Sequence, residues 1–405
     1  MLSFTKTAGC VAIACTTFAG SAMGQTALEA FRLDLAASEM NSKAFNGFTI
    51  ASNDGRTTMR VDGLLQFRYI ATFDADQGDE SNDAQGFQAQ RTRFGFAGRF
   101  AGEKTGYRVM TQINADGSFN LLDAFFTYQI TDELRVRAGQ IMLPFDRERS
   151  RTAPTRTLAT DRSIVDNVFN LDRAGGVELQ YSTDSFRIAG AFSNGRRALN
   201  NSYNSDNVAD YALSARAELK LGEAKWSQFN QQTSFWGDAG GVLIGAGVHF
   251  QEKGNIPVPQ DVDEASRYLG YTGDIGYQGN GWSILGVFQG RTIDTSEGSF
   301  SDYGFMVQGG VAVSDNADIF ARYAMLIPDD DRAGGRNEFS AVTFGANYYF
   351  IPKSQTVKLT GEIFWYPTAS DDSRSIIRAP VNGSGLLRDD DGGQIGFMLQ
   401  MQIMF

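Results

Sequence analysis

The chain has 405 residues, 45 of them glycine and 8 proline, and its formal net charge is −11. This acidic balance argues against nucleic-acid binding. Beyond the N-terminus no apolar stretch has the length of a transmembrane helix. The chain is therefore either a large soluble β protein or a β-barrel, in which alternation dilutes the apolar residues.

Residues 1–24 have the pattern of a secretory signal peptide. A positively charged start precedes a short apolar run, which ends at the small-x-small cleavage site Ala22-Met23-Gly24. Removal of this signal also removes Cys10 and Cys15, so the exported chain has no thiol. Disulfide scaffolds, thiolate metal sites and cysteine nucleophiles are then excluded.

Residues 25–58 are predicted to form a periplasmic N-terminal segment. The composition of 26–46 allows a short helix, and Asn53-Asp54-Gly55 predicts the turn of a small hairpin. The barrel domain is predicted to cover residues 59–405.

Segments of alternating apolar and polar residues recur along this domain. Successive side chains of a strand point to opposite faces, so the alternation indicates strands with one apolar and one polar face. Each segment is close to the ten residues that a tilted membrane strand needs. About sixteen strands are predicted, near 59–72, 88–100, 104–114, 120–130, 134–142, 173–182, 185–193, 210–221, 240–251, 266–278, 281–293, 302–313, 317–327, 338–350, 355–366 and 393–405.

The connections between these strands alternate in length. Links after odd-numbered strands are mostly long and polar, such as 143–172 and 294–301, whereas links after even-numbered strands are mostly tight. Long external loops and short periplasmic turns are typical of a transmembrane barrel. Two links depart from this rule, because 115–119 is short and 222–239 is long. The second is interpreted as a folded periplasmic connection, since a further strand would make the total odd.

The last predicted strand ends the chain on an aromatic residue. Ile395, Phe397, Leu399 and Phe405 fall on one face, and glutamines fall on the other. This segment alone fits either the final strand of a soluble sandwich or a membrane-facing barrel strand. The number and spacing of the other strands favour an all-β, 16-stranded antiparallel transmembrane β-barrel.

Several motifs resemble the phosphate-selective porin family, of the porin O and porin P type. They are 47–55 leading into 59–66, Phe94–Gly98, Asp123–Phe126 and, most strongly, Arg137–Glu148. The stretch Trp226–Phe229 is also similar, and the resemblance covers most of residues 47–405. It implies a water-filled sixteen-stranded porin in the outer membrane of a Gram-negative-type bacterium, usually a homotrimer, with the loop after the fifth strand folded into the lumen.

Arginines concentrate in that loop and on neighbouring strands. Arginine carries a permanent charge and a planar set of donors that matches phosphate or carboxylate oxygens, and such side chains in a narrow lumen favour anions. Acids in the same loop, including Asp146 and Asp161, leave a charge-balanced pore open as an alternative. The predicted anion-pathway residues are Arg147, Arg149, Arg151, Arg156 and Arg162 in the loop, and Arg91, Arg93, Arg108, Arg135 and Arg137 on the strands.

The sequence therefore predicts an outer-membrane porin for passive diffusion of small anions, and the family resemblance makes phosphate or polyphosphate the first candidate. The phosphate-specific members add lysines at the binding site, whereas this chain has none between residues 107 and 219. The alternatives are a general diffusion porin and a non-conducting structural or adhesive barrel. The predicted partners are small anionic solutes, outer-membrane lipid, lipopolysaccharide and further copies of the chain.

Catalysis is not predicted. His249 is the only histidine and has no nucleophile motif around it, so neither a histidine metal cluster nor a hydrolase site is expected. The sequence predicts no cofactor and no metal site.

Overall fold

The computed structural model describes residues 48–74, 83–257, 265–331, 338–370, 376–377, 379–381, 383–388 and 392–405. The predicted signal peptide and the predicted helix within 26–46 lie outside the described residues.

The described part of the chain forms one short strand and sixteen barrel strands. The short strand is β1 (Phe48–Ala51). The barrel strands are β2 (Thr58–Phe73), β3 (Ala84–Arg99), β4 (Thr105–Ile113), β5 (Phe119–Gln129), β6 (Leu134–Met142), β7 (Arg173–Ser182), β8 (Phe186–Ser193), β9 (Tyr211–Gly222), β10 (Gly241–Glu252), β11 (Ala265–Gly279), β12 (Trp282–Thr295), β13 (Ser299–Ser314), β14 (Ala317–Ile327), β15 (Phe339–Tyr349), β16 (Val357–Tyr366) and β17 (Gln394–Met404).

Each barrel strand pairs antiparallel with its neighbours in the sequence, and β17 pairs with β2. That last pairing, which runs from Ile395 opposite Phe73 to Met404 opposite Leu64, closes the cylinder. A closed sheet has no edge strand with unpaired backbone groups. A sheet that spans a membrane needs this closure, because the bilayer core offers no hydrogen-bond partners. The predicted 16-stranded antiparallel barrel is confirmed.

The hairpin around Asn53-Asp54-Gly55 is present. β1 pairs antiparallel with the start of β2, with Phe48 opposite Val61 and Ala51 opposite Thr58. Gly55 has a φ of 67°, in the left-handed region that glycine adopts without strain.

The connections differ from the prediction in one place. The link predicted at 294–301 was expected to be long, but only residues 296–298 separate β12 from β13. Pairing continues from Arg291 opposite Asp302 to Asp294 opposite Ser299, so backbone hydrogen bonds extend both strands past their apolar stretch. The 222–239 connection contains no strand, as predicted, and includes a 3₁₀ turn at Gln228–Asn230.

The two faces of the barrel wall differ in polarity. On β17, Ile395, Phe397 and Leu399 are 39–49% exposed, whereas Gln400 and Gln402 are buried. The same alternation places large apolar side chains on the outer face of the other strands, which is the pattern of a wall in contact with lipid. Among the described residues, no helix combines the length and apolarity that a membrane crossing needs.

The barrel interior is packed on the side of β12 to β17. A cluster of buried apolar side chains joins these walls to a short helix, α2 (Ile164–Phe169), and to Ile376, Ile377 and Leu386 between β16 and β17. Leu285, Val287 and Met306 therefore point inward on strands whose outer faces are also apolar. The opposite side, from β3 to β8, carries mainly polar and charged inward side chains.

Candidate functional site

The connection between β6 and β7, residues 143–172, lies within the barrel, and we call it the lumen loop. Its backbone carbonyls accept hydrogen bonds from inward-facing side chains of four consecutive strands. These bonds run from Arg322 Nη1 to Asp161 O (2.8 Å), Asn347 Nδ2 to Leu158 O (3.0 Å), Lys358 Nζ to Thr157 O (2.8 Å) and Gln402 Nε2 to Thr155 O (3.1 Å). On the other side of the barrel, Arg216 Nη1 of β9 donates to Phe145 O at 3.0 Å.

Local sequence explains the two helical turns of the lumen loop. Asp146 caps α1 (Arg147–Ser150) by accepting a hydrogen bond from Arg149 N, and Ser163 Oγ accepts one from Asp166 N at 3.2 Å to cap α2. Asp and Ser are favoured at this position because they satisfy a free backbone N–H. The apolar side chains of α2 then bury against β12, β13 and β14.

Asp161 fixes the middle of the lumen loop to the wall. Its carboxylate accepts a hydrogen bond from Arg68 Nη1 at 2.8 Å and forms a second ion pair with Arg91. Burial raises the pKa of this carboxyl group, but Arg91 and Arg68 outweigh burial and lower the pKa to about 2. Asp161 therefore stays anionic at physiological pH and holds two arginines in place.

A cavity of about 140 Å³ lies between the lumen loop and the walls from β3 to β8. Residues 149–154 and Arg162 of the lumen loop form one side of the cavity, and strand residues form most of the other side. Asp123 is the single carboxylate on the lining among the described residues. The arginines of the lining are Arg93, Arg108, Arg135, Arg137, Arg149, Arg151, Arg162, Arg173 and Arg187.

Most of these arginines have carboxylate partners that do not line the cavity. The pairs are Arg137 with Glu178 (2.8 Å), Arg149 with Asp166 (2.6 Å) and Arg151 with Glu218 (3.1 Å). Glu178, Asp166 and Glu218 are all buried. These partner acids are not on the lining, so guanidinium groups make up most of the charged groups that line the cavity although the chain as a whole is acidic.

Arg162 is held in a different way. Its Nε donates to Glu148 O at 2.6 Å and its Nη2 donates to Thr152 O at 2.7 Å, so backbone carbonyls fix the side chain. Among the described residues no carboxylate lies within ion-pair distance of it. Burial, and then Arg149, lower the pKa of Arg162 to about 10, which leaves it cationic at neutral pH.

The structure brings seven of the ten sequence-predicted arginines together at the cavity. Three others do not line it. Arg91 is bound to Asp161, Arg147 lies 5.5 Å from the ring centre of Phe229, and Arg156 is buried elsewhere in the lumen loop.

Two arginines of the lining, Arg173 and Arg187, and the neutral Asn230 lie outside the ten predicted anion-pathway residues. Arg187 follows Phe186 on β8, and the alternation along that strand would have placed it inward. Asn230 belongs to the connection between β9 and β10, where no periodicity indicates the direction of a side chain.

The lone histidine is enclosed in the wall. His249 Nδ1 lies 2.8 Å from Ser214 Oγ, and its Nε2 lies 2.9 Å from Gln251 Oε1, which also accepts from Arg196 N at 2.8 Å. All of these side chains are buried, so this arrangement is a closed hydrogen-bond network of the wall. In the described ranges, no group of three or more His, Cys, Asp and Glu residues is placed to hold a metal ion.

The comparisons with known proteins agree with this architecture. The family model described as phosphate-selective porin O and P matches residues 64–246. The resemblance predicted from the sequence is confirmed over that range. No curated protein sequence matches the chain.

Three solved structures share the fold at low sequence identity. An anion-selective porin from Comamonas acidovorans has a TM-score of 0.59 at 12% identity, with 86% of this chain and 100% of that chain covered. Salmonella typhi OmpF in complex with daunomycin has a TM-score of 0.58 at 13% identity, with 88% and 100% covered. In vitro folded OmpT of Vibrio cholerae in a trimer form has a TM-score of 0.56 at 12% identity, with 86% and 99% covered.

Proposed function

We propose that this chain, an outer-membrane porin of a Gram-negative-type bacterium, lets small anions diffuse passively through the cavity beside the lumen loop. The porin class rests on the closed barrel, its apolar outer face and the family match. The preference for anions rests on one observation above all, namely that the described lining of the cavity has nine arginines and one carboxylate, Asp123.

The physical basis of the preference is partial replacement of hydration. An anion that enters a narrow lumen loses water, and guanidinium N–H groups supply charge-assisted hydrogen bonds in its place. Arg162 contributes most directly, because backbone carbonyls hold it without neutralising its charge. The same guanidinium groups repel a cation that enters the cavity.

Reversal potentials in planar bilayers test the proposal. The variant Arg93→Gln/Arg135→Gln/Arg162→Gln removes three lining charges and is expected to lower the anion-to-cation permeability ratio severalfold. Arg267→Gln is the matched control, since Arg267 is exposed on β11 and pairs with Glu252 at 3.3 Å. An unchanged ratio in the triple variant would reject anion selectivity by these arginines.

Phosphate or polyphosphate is the first candidate solute. The family match and the guanidinium lining support it, while the described lining contains no lysine. In a titration, phosphate and pyrophosphate should block chloride current at lower concentration than sulfate does. Equal block by all three ions would favour a general anion pathway.

We also propose a homotrimer that contacts outer-membrane lipid and lipopolysaccharide. The trimer form of the Vibrio cholerae neighbour supports the assembly. Cross-linking in native membranes tests it, and a product no larger than one chain would contradict it.

A further inference from the structure

The connection between β9 and β10 is much longer than its geometry requires. Gly222 and Gly241 at the adjoining strand ends are paired opposite each other, and Glu223 N closes the base by donating to Gly240 O at 3.0 Å. Antiparallel neighbours can be joined by two residues, as 280–281 and 315–316 do between other strands of this barrel. We call this connection the 223–240 segment. Its length exceeds what joining the two strands requires, so its contacts inside the barrel need a separate explanation.

The 223–240 segment crosses the barrel at the end of the short turns. It starts on the β8 side, where Trp226 Nε1 donates to Thr183 O at 2.9 Å and the guanidinium of Arg187 lies 4.3 Å from the ring centre of Trp226. It reaches the far wall at Tyr349 of β15. The contacts there are Thr233 Oγ1 with Tyr349 OH (3.2 Å), and Phe235 with the Tyr349 ring (centroids 5.2 Å apart).

The segment also contacts the lumen loop directly. Gln232 N donates to Arg156 O at 2.9 Å, and Gln232 Oε1 accepts a hydrogen bond from Leu158 N at 3.1 Å. These two bonds pair backbone groups of the loop with one buried glutamine. Because a buried backbone group without a partner is costly, these bonds from Gln232 stabilise the position of residues 156–158 of the lumen loop within the barrel.

One side chain of the segment faces the arginine cavity. Asn230 lines it together with Arg187 and the loop residues 149–154, and every other described residue of the lining belongs to a strand or to the lumen loop. Its amide can donate a hydrogen bond to an oxyanion without adding charge. Its side chain occupies part of the lining that it shares with the arginines.

We propose that the 223–240 segment forms a second constriction, in which Asn230 sets the largest solute that passes and Gln232 positions the lumen loop. This assignment rests on the proposed function, because it takes the arginine cavity as the solute path. The solutes concerned are small oxyanions, for which a neutral amide beside fixed guanidinium groups provides both a size limit and a hydrogen-bond donor.

A size series at position 230 tests the constriction. The exclusion limit of the open channel is measured from the loss of single-channel conductance with polyethylene glycols of graded size. The limit should fall in the order Asn230→Ala, wild type, Asn230→Gln. Ser227→Ala is the control, since Ser227 lies in the same segment but not on the cavity, and it should leave the limit unchanged.

Charge at the same position gives a second readout. Asn230→Asp should reduce the anion-to-cation permeability ratio, whereas Ser227→Asp should leave it unchanged. Gln232 is tested separately. Gln232→Ala removes the acceptor for Leu158 N, so the lumen loop should move more and the open-channel current noise should increase. Gln232→Glu keeps that acceptor, so its current noise should stay close to that of the wild type.

The outcomes separate this inference from the proposed function. Equal exclusion limits across the size series, in a channel that conducts, would overturn the second constriction alone. The channel could instead conduct without anion preference while its exclusion limit still follows the size series at position 230. That result would overturn the anion pathway and support the constriction. A wild-type barrel without conductance would overturn both.

Discussion

Individual arginines of the cavity differ in what their charge contributes. Arg137 faces the buried carboxylate of Glu178 at 2.8 Å, so the pair adds little net charge. Arg162 rests on two backbone carbonyls, and among the described residues no carboxylate forms an ion pair with it. The distinction matters because removing one partner of a buried pair leaves the other charge uncompensated.

Removing Arg137 alone should leave the carboxylate of Glu178 as an unpaired negative charge. Arg137→Gln leaves Glu178 beside the cavity and is expected to lower the anion-to-cation permeability ratio. The double variant Arg137→Gln/Glu178→Gln removes both charges and should return the ratio close to the wild-type value. Reversal potentials distinguish the two, and a double variant as impaired as the single one would contradict this pairing.

Arg162→Gln offers the complementary case. No second substitution is expected to restore the ratio, because the side chain has no carboxylate partner among the described residues. If Arg162→Gln left the reversal potential unchanged, the assignment of a net charge to this residue would be wrong.

At the scale of elements, the lumen loop depends on its ion pairs with the wall. Asp161→Asn removes the carboxylate that joins Arg68 to Arg91, and it should lower the free energy of unfolding by about 3 kcal/mol, as expected for a broken buried pair. Asp210→Asn breaks the exposed pair with Lys253 and should cost less than about 1 kcal/mol. Tryptophan fluorescence during urea unfolding in lipid vesicles measures both, and equal losses would contradict the anchoring role.

The cap of α1 gives the lumen loop a pH dependence. Burial, and then Asp166, raise the pKa of Asp146 to about 7, so the folded state holds a proton that the unfolded chain releases near pH 4. Stability should fall as pH rises from about 4 to about 7 and then level off. Asp146→Asn keeps an oxygen for the cap without the charge, so it should flatten this slope in thermal unfolding profiles recorded across that pH range. An unaltered slope would contradict the assignment.

The wall was predictable from the sequence, whereas the interior was predictable only in part. Period-two alternation placed Arg108, Arg135 and Arg137 inward because a strand leaves a side chain only two directions. The lumen loop has no such period, so its sequence could not separate Arg149 from Arg147. Nor could alternation show that Leu285 points into a packed interior, since both faces of β12 are apolar there.

At the scale of the whole molecule, the barrel is divided into two halves. Apolar packing of α2 and of residues between β16 and β17 fills the side of β12 to β17, and the arginine cavity occupies the side of β3 to β8. The lumen loop separates the halves, and the 223–240 segment lies across one end. Under the proposed function, solutes pass through the charged half.

The sign of the single-channel reversal potential across a KCl gradient tests the proposed passage of anions through the arginine-lined half. The structure predicts current through the wild-type channel dominated by chloride, with a preference that weakens at high salt as the arginines are screened. A reversal potential of the opposite sign, set by potassium, would contradict passage through the arginine-lined half.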